Sequence, residues 1–390
     1  MKSINELSRN PDIRSALAEF QARLDGIVEQ VIAIQQIPAP TFEEETRARF
    51  IEEQFKALGL EDVNRDALNN VYGRLPGTSS ALPPVVLSAH LDTVFPMNTD
   101  LAIRREGNLI YGPGIGDNST GVAGLLQTAQ AIRDNRLAHT ADIYFVANVG
   151  EEGLGDLRGM RAVVDRFGGD AIYIVVEGGL YGKLIHQAVG VRRYRIQISA
   201  PGGHSWGGFG AASAIHQLGH LIVDIDSLAV PAIPKTTYNV GIIQGGISIN
   251  TIANSAELWL DLRSEGVVAL EQLVKDVEEI VRTRNKRYAL EGDGVEIKMH
   301  RVGDRPAGSI SRQSPLVAGA EAALRAVGCE DVHYIVSSTD ANIPLSRGYE
   351  AVCLGLTHSG NSHRPDEFMD KTNLPAGLGQ LLLVTLAAAG

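Results

Sequence analysis

The sequence predicts an α/β protein: a three-layer domain on a largely parallel sheet, interrupted by a smaller ferredoxin-like domain of β-α-β-β-α-β order. Three observations carry this expectation. Continuous apolar, β-branched runs such as VVLSAHLDTVF and AIYIVVEGG alternate with amphipathic stretches, as buried parallel strands and their covering helices do. From 188 to 303 the rhythm changes, because VRRYRIQISA alternates apolar with polar residues, as a sheet with one wet face should. Finally, 390 residues exceed what one hydrophobic core usually supports. The expected division is 1–187 for the first part of the larger domain, 188–303 for the insertion and 304–390 for the second part.

In order along the chain, apolar residues at helical spacing predict a helix over Ile13 to Gln35, stopped by Pro38 and Pro40, and a second over Phe42 to Leu58, ending near Gly59. After the Pro83-Pro84 breaker, VVLSAHLDTVF reads as a buried strand. Thr120 to Arg133 reads as a helix, ADIYFVANVG as a strand, Leu157 to Arg166 as a helix and AIYIVVEGG as a third strand. Within the insertion, VRRYRIQISA is followed by a helix (Ala211 to Asp226), two strands (Thr237 to Gln244, Ala256 to Arg263), a long helix (Val268 to Tyr288) and a last strand (Val295 to Arg301). From Arg312 the first style resumes, with a helix over Leu316 to Val327 and buried strands at HYIVSS and AVCLGL.

Bulk properties exclude several classes of function. The formal charge is 35 − 46 = −11, with no basic stripe, which argues against nucleic-acid binding through phosphates. Cys329 and Cys353 are too few for a disulfide framework and are not spaced as a metal pair. The N-terminal MKSINELSRN lacks the apolar core of a signal peptide, and LLLVTLAAA at 381–389 is too short to span a bilayer. A cytoplasmic protein with no membrane or nucleic-acid partner is expected.

The unusual polar residues fall just after the strands of the larger domain, where open α/β sheets place their ligands. His90 and Asp92 close the VVLSA strand, and residues i and i+2 of an extended chain point the same way, so Asp92 can approach the His90 ring. Alone, that pair fits a histidine buried for packing as well as a metal ligand. Asp117 sits in YGPGIGDNSTG before a helix that Asn118, Ser119 or Thr120 could cap. Glu177 ends AIYIVVEGG, and His363 lies in the polar loop HSGNSHRPDEF. Between them GEEGLGDLRG sets Glu151 beside Glu152 among glycines, a repulsive arrangement unless a cation compensates it.

Taken together, His90, Asp117, Glu152, Glu177 and His363 offer two imidazoles and three carboxylates. Mixed nitrogen and oxygen ligation suits zinc, manganese or cobalt better than calcium or magnesium. Five ligands suit two ions about 3.5–4 Å apart if one carboxylate bridges. Glu151 is then left beside a ligand, where a general base belongs. His216 and His220 imitate HExxH on a helix but have Gln217 in place of the glutamate, which favours a structural role. No GxSxG or Walker A pattern is present, which disfavours a serine hydrolase elbow or a phosphate-cradling loop.

SAHLDTV, GIGDNSTG, GEEGLGDLRG, VEGG, PGGHS and the late loop histidine resemble, in that order, the motifs of the di-zinc exopeptidase and aminoacylase family, which includes glutamate carboxypeptidase, peptidase T and succinyl-diaminopimelate desuccinylase. LRGMRAVV and SSTDANIP, with Asp340, resemble the peptidase T-like branch most. The resemblance implies a zinc-exopeptidase-type catalytic domain with an inserted lid and dimerisation domain. It implies that His90 and Glu177 hold one zinc and Glu152 and His363 the other, with Asp117 bridging. Asp92 would orient His90 and Glu151 would be the general base. The Asp117-Asn118 peptide is a candidate for the cis form found in relatives. His204 of PGGHS would support the oxyanion across a homodimer, and Asn250 and Arg263 would bind substrate. In GGHSWGGFG, Trp206 and the extra glycines depart from the plainer loop of many relatives. The expected reaction is hydrolysis of a short peptide, with an N-acyl amino acid as the alternative substrate; a metal-binding module without catalysis is disfavoured by Glu151, a carboxylate with no ligand role.

Overall fold

The computed structural model describes residues 1–390, which divide into two compact units: Met1–Ala188 with Ser309–Gly390, and Val189–Gly308. The second boundary lies beyond 303 because the last strand of the inserted unit, Glu296–Arg305, runs past the expected Arg301.

The larger unit is built on a nine-stranded sheet. Its centre is four parallel strands in the spatial order Ile143–Asn148, Val85–His90, Ile172–Glu177 and Ala351–Gly355. Val71–Leu75 extends one side antiparallel and Lys183–Ala188 extends the other, with His333–Ser337 paired parallel to the latter. Period-two alternation sends Val85, Leu87 and Ala89 into one apolar layer and Val86 into the other, so both faces of the strand are dry. Helix Thr120–Asp134 and the C-terminal helix Leu374–Ala389 belong to the first layer, and helix Arg158–Phe167 to the second.

The helix expected over Ile13 to Gln35 is two, Pro11–Ala22 and Leu24–Gln35, separated at Arg23. The Arg23 guanidinium is anchored on Gln127 and Gln130, a tertiary contact that sequence periodicity does not contain. Likewise the apolar run at 381–389 is the end of a longer helix. Lys371–Ala389 is long and apolar enough to cross a membrane by composition alone, yet Leu378, Leu381, Leu382, Leu383, Val384 and Leu386 are buried in the first layer. It is a core helix.

The inserted unit is a four-stranded antiparallel sheet in the order Thr236–Gly245, Ser255–Ser264, Gly190–Ser199, Glu296–Arg305, carrying helices Ala214–Asp226 and Val267–Glu291. This is the ferredoxin-like arrangement. Tyr194, Ile196 and Ile198 with Leu258, Leu260 and Leu262 form its core. The other face carries the cross-strand pairs Arg193–Asp261 (3.0 Å) and Arg195–Glu257 (2.9 Å), which explains the polar half of VRRYRIQISA.

Candidate metal centre

Three neighbouring parallel strands deliver the first residues of the site at their C-terminal ends. His90 and Glu177 are the last residues of Val85–His90 and Ile172–Glu177, and Glu151 and Glu152 follow Ile143–Asn148 after a short turn. Asp117 comes from the irregular segment before helix Thr120–Asp134, and its peptide bond to Asn118 is cis. His363 comes from the loop between the short strands His358–Gly360 and Phe368–Asp370, with a positive φ of 67°.

The five side chains meet in two linked sets. His90 Nε2 lies 3.1 Å from Asp117 Oδ1 and 3.7 Å from Glu177 Oε2. His363 Nε2 lies 3.4 Å from Asp117 Oδ2 and 3.1 Å from Glu152 Oε1. Each imidazole thus faces one oxygen of Asp117 and one further carboxylate. Ligand atoms of His90, Asp117 and Glu152 all lie within 4.8 Å of one another.

The tautomer of His90 decides what this geometry can hold. Its Nδ1 is 3.1 Å from the backbone carbonyl of Asp92, which can only accept, so Nδ1 carries the proton. The neutral ring then turns an Nε2 lone pair towards two carboxylates, an arrangement that needs a cation between them. In the metal-free protein that cation is a proton. Burial alone would lower the His90 pKa, but hydrogen bonds to Asp117, Asp92 and Glu177 outweigh it and hold it well above the usual range. Asp117 and Glu152 push His363 up to about 10. Burial pushes Glu177 up to about 7, whereas the two imidazoles outweigh burial at Asp117 and hold it well below the ordinary carboxylate range. The donor set, two imidazole nitrogens and three carboxylates, fits zinc, manganese or cobalt.

Asp92 meets the His90 ring through its backbone carbonyl, 3.1 Å from Nδ1, and its carboxylate lies 3.7 Å from the same nitrogen. The carboxylate oxygens also accept the backbone N–H groups of Glu151 and Glu152, both at 2.9 Å, and the Thr41 hydroxyl at 2.9 Å. The repulsive acidic pair is therefore held by its backbone, and Asp92 holds it. Behind this, buried Arg47 donates to the Leu91 carbonyl at 2.8 Å.

Asn118 and Glu367 complete the framework, and both were missed as functional residues in the sequence. Asn118 Oδ1 accepts from Gly121 N (3.1 Å), the capping contact that composition suggests, but also from Gly178 N (2.7 Å) beside Glu177. Ser119 and Thr120 do not cap, since their hydroxyls donate back to Gly114 and Ile115 carbonyls. The Glu367 carboxylate, fully buried, accepts from Gly114 N (3.1 Å), Gly116 N (2.8 Å) and Asp117 N (2.8 Å). Nothing in the string HRPDEF marks that residue as the partner of a loop 250 positions earlier.

His204, Asn250 and Arg263 belong to the inserted unit. His204 is exposed, and its Nδ1 accepts from Trp206 N (3.2 Å) and Gly207 N (3.3 Å), which leaves the proton on Nε2 as a free donor. Asn250 Oδ1 accepts from the Ser248 hydroxyl at 2.6 Å, and Arg263 Nε pairs with Asp261 at 2.6 Å. His216 and His220 are exposed on helix Ala214–Asp226, with His220 Nδ1 3.3 Å from Gln217 Oε1.

An α/β sheet whose parallel strands end in clustered imidazoles and carboxylates, in a chain with an inserted ferredoxin-like unit, defines a candidate metal-dependent enzyme. The model of the peptidase family M20/M25/M40 matches residues 86–385, and the chain belongs to that family. Succinyl-diaminopimelate desuccinylase of Corynebacterium glutamicum is 26% identical over 377 residues, spanning 90% of this chain and 94% of that protein. A tripeptidase structure from Staphylococcus aureus has a TM-score of 0.79 at 23% identity, covering 94% of this chain and 98% of that one. A di-peptidase structure from Saccharomyces cerevisiae has a TM-score of 0.77 at 12% identity, covering 97% and 98% respectively. These two structures share the fold.

Proposed function

We propose that the protein hydrolyses the amide bond of short peptides as an exopeptidase, using two divalent cations, zinc in the first instance and manganese or cobalt as alternatives. The observation that carries this reading is the division of Asp117: one oxygen faces His90 and the other His363, while each imidazole also faces a further carboxylate, Glu177 or Glu152. His90 and Glu177 would hold one cation, His363 and Glu152 the other, and Asp117 both. When bound, such a pair supplies Lewis acidity and brings the pKa of a coordinated water towards about 7.

The chain's own groups supply the rest of the chemistry. Glu151 takes a proton from the attacking water and returns it to the leaving amine. Its buried backbone N–H is fixed on Asp92, so its position relative to Glu152 is set by the main chain. His204 offers Nε2–H to the developing oxyanion. Arg263, with its Nε on Asp261, presents the remaining guanidinium nitrogens to a substrate carboxylate, and Asn250 offers its amide group. The protein acts as a homodimer through the inserted unit: the edge strand Thr236–Gly245 exposes Ile242 and Ile243, and the neighbouring helix exposes Val223. Cytoplasmic residence fits its two free cysteines.

The second reading, hydrolysis of an N-acyl amino acid, is favoured by the end-to-end likeness to a protein named a desuccinylase. A panel of dipeptides, tripeptides and N-acyl amino acids, assayed with zinc, manganese and cobalt, separates the two. Metal counting on the same preparations tests the site, and sedimentation against concentration tests the dimer. Absence of bound metal in a folded, metal-supplemented protein would refute the whole proposal.

A further inference from the structure

We propose that Glu367 is a positioning residue that holds Asp117 in the orientation in which its two oxygens serve the two cation positions. The inference rests on the two-cation reading above. A carboxylate that must face two imidazoles at once tolerates little rotation, so the backbone that carries it has to be fixed. The segment before Asp117 is irregular: Gly114 is left-handed at φ 71°, and the chain there forms neither strand nor regular helix. Side-chain packing cannot help at position 116, where a Cβ would come 2.7 Å from Ser359 Cβ and 3.3 Å from Glu367 Oε1. Ile115 packs into the core, but Gly114 and Gly116 offer only their main chain, and Glu367 holds it with three bonds, from Gly114, Gly116 and Asp117 N–H.

The clamp also joins two ligands of one cation position. Glu367 lies four residues after His363 in the same loop, so the segment that brings His363 towards Asp117 Oδ2 also grips the Asp117 backbone. Asn118 performs the matching task on the other side, tying the residue after Asp117 to Val176 O (2.9 Å) and Gly178 N (2.7 Å), which flank Glu177. Asp117 is thus held between the strand that ends in Glu177 and the loop that carries His363.

The test is zinc binding by the full chain, measured by competition with a chromogenic chelator and by counting bound ions in native mass spectra. Partners of metal ligands typically contribute about 10–100-fold to metal affinity. Glu367→Gln keeps an acceptor for part of the set and turns an amide group towards another N–H, so a loss of about tenfold is expected, and about 100-fold for Glu367→Ala. Thermal unfolding in chelator reports whether each variant is folded; if Glu367→Ala is not, the Glu367→Gln isotherm decides. Ser119→Ala serves as the control, since it removes a bond to Gly114 O in the same loop without touching Asp117. Wild-type affinity in folded Glu367→Gln, or an equal loss in Ser119→Ala, would overturn the role of Glu367. A wild-type chain that binds no zinc would instead overturn the two-cation reading.

Discussion

Asp92→Asn separates two ways in which this aspartate could act. Its buried carboxylate receives the N–H groups of Glu151 and Glu152 and the Thr41 hydroxyl, each at 2.9 Å, whereas His90 Nδ1 is bound by the Asp92 carbonyl, which the substitution leaves in place. An asparagine keeps one oxygen and turns its amide group towards one of the two N–H donors. A buried donor left without an acceptor costs about 1–3 kcal/mol, and weakening of the other charge-assisted bonds brings the total to about 2–3 kcal/mol. At about 2–4 °C per kcal/mol for a domain of this order of size, the melting temperature in chelator should fall by about 4–12 °C. A shift of Glu151 by about 1 Å should lower kcat by about 100-fold. Zinc on the His90 side should survive, because the ring tautomer is unchanged. Calorimetric unfolding, steady-state kinetics and metal counting on one preparation report all three. If Asp92→Asn kept its melting temperature and kcat but lost zinc affinity, the carboxylate would be acting through His90, and the reasoning would fail.

Glu151→Gln should keep its full complement of metal while kcat falls by about 10²–10⁴-fold, the usual contribution of a general base; near-normal turnover would exclude it from that role. Zinc affinity should rise with pH between about 6 and 9, because the metal-free protein holds protons on His90 and His363, the latter with a pKa of about 10, and each must leave before the nitrogen can ligate. Calorimetry in two buffers of different ionisation enthalpy measures those protons, and zinc binding without proton release would contradict the assigned ligands. Gly178→Ala should destabilise the larger unit by about 3 kcal/mol or more, since its Cβ would lie 1.9 Å from the Gly116 carbonyl in a backbone contact that cannot relax locally; denaturant unfolding measures this.

Much of the larger architecture is legible without coordinates. Dry, β-branched runs can only be strands covered on both faces, and Ile143–Asn148, Val85–His90 and Ile172–Glu177 lie within the runs that suggested them. The alternation in VRRYRIQISA likewise determines which of its residues are wet, because a strand has a period of two. Helix boundaries were less legible. The residue at the break, Arg23, bonds glutamines more than a hundred residues away, and local periodicity is blind to such a partner.

The chemistry of the centre follows the same division. Residue type and position alone determined that two imidazoles and several carboxylates leave strand ends, because polar residues that interrupt apolar runs have few other places to go. Only the tertiary structure decided who faces whom. Glu152 meets His363 across 211 positions, and Asp117 is gripped by Glu367 across 250, through a strand order that runs 143–148, 85–90, 172–177, 351–355 rather than along the chain. It also decided that the Asp92 carboxylate holds the backbone of the acidic pair as well as facing the imidazole, which its carbonyl approaches more closely. A spacing of two residues puts His90 and Asp92 near one another, but hydrogen-bond partners are chosen by direction as well as distance, and direction is a property of the folded backbone.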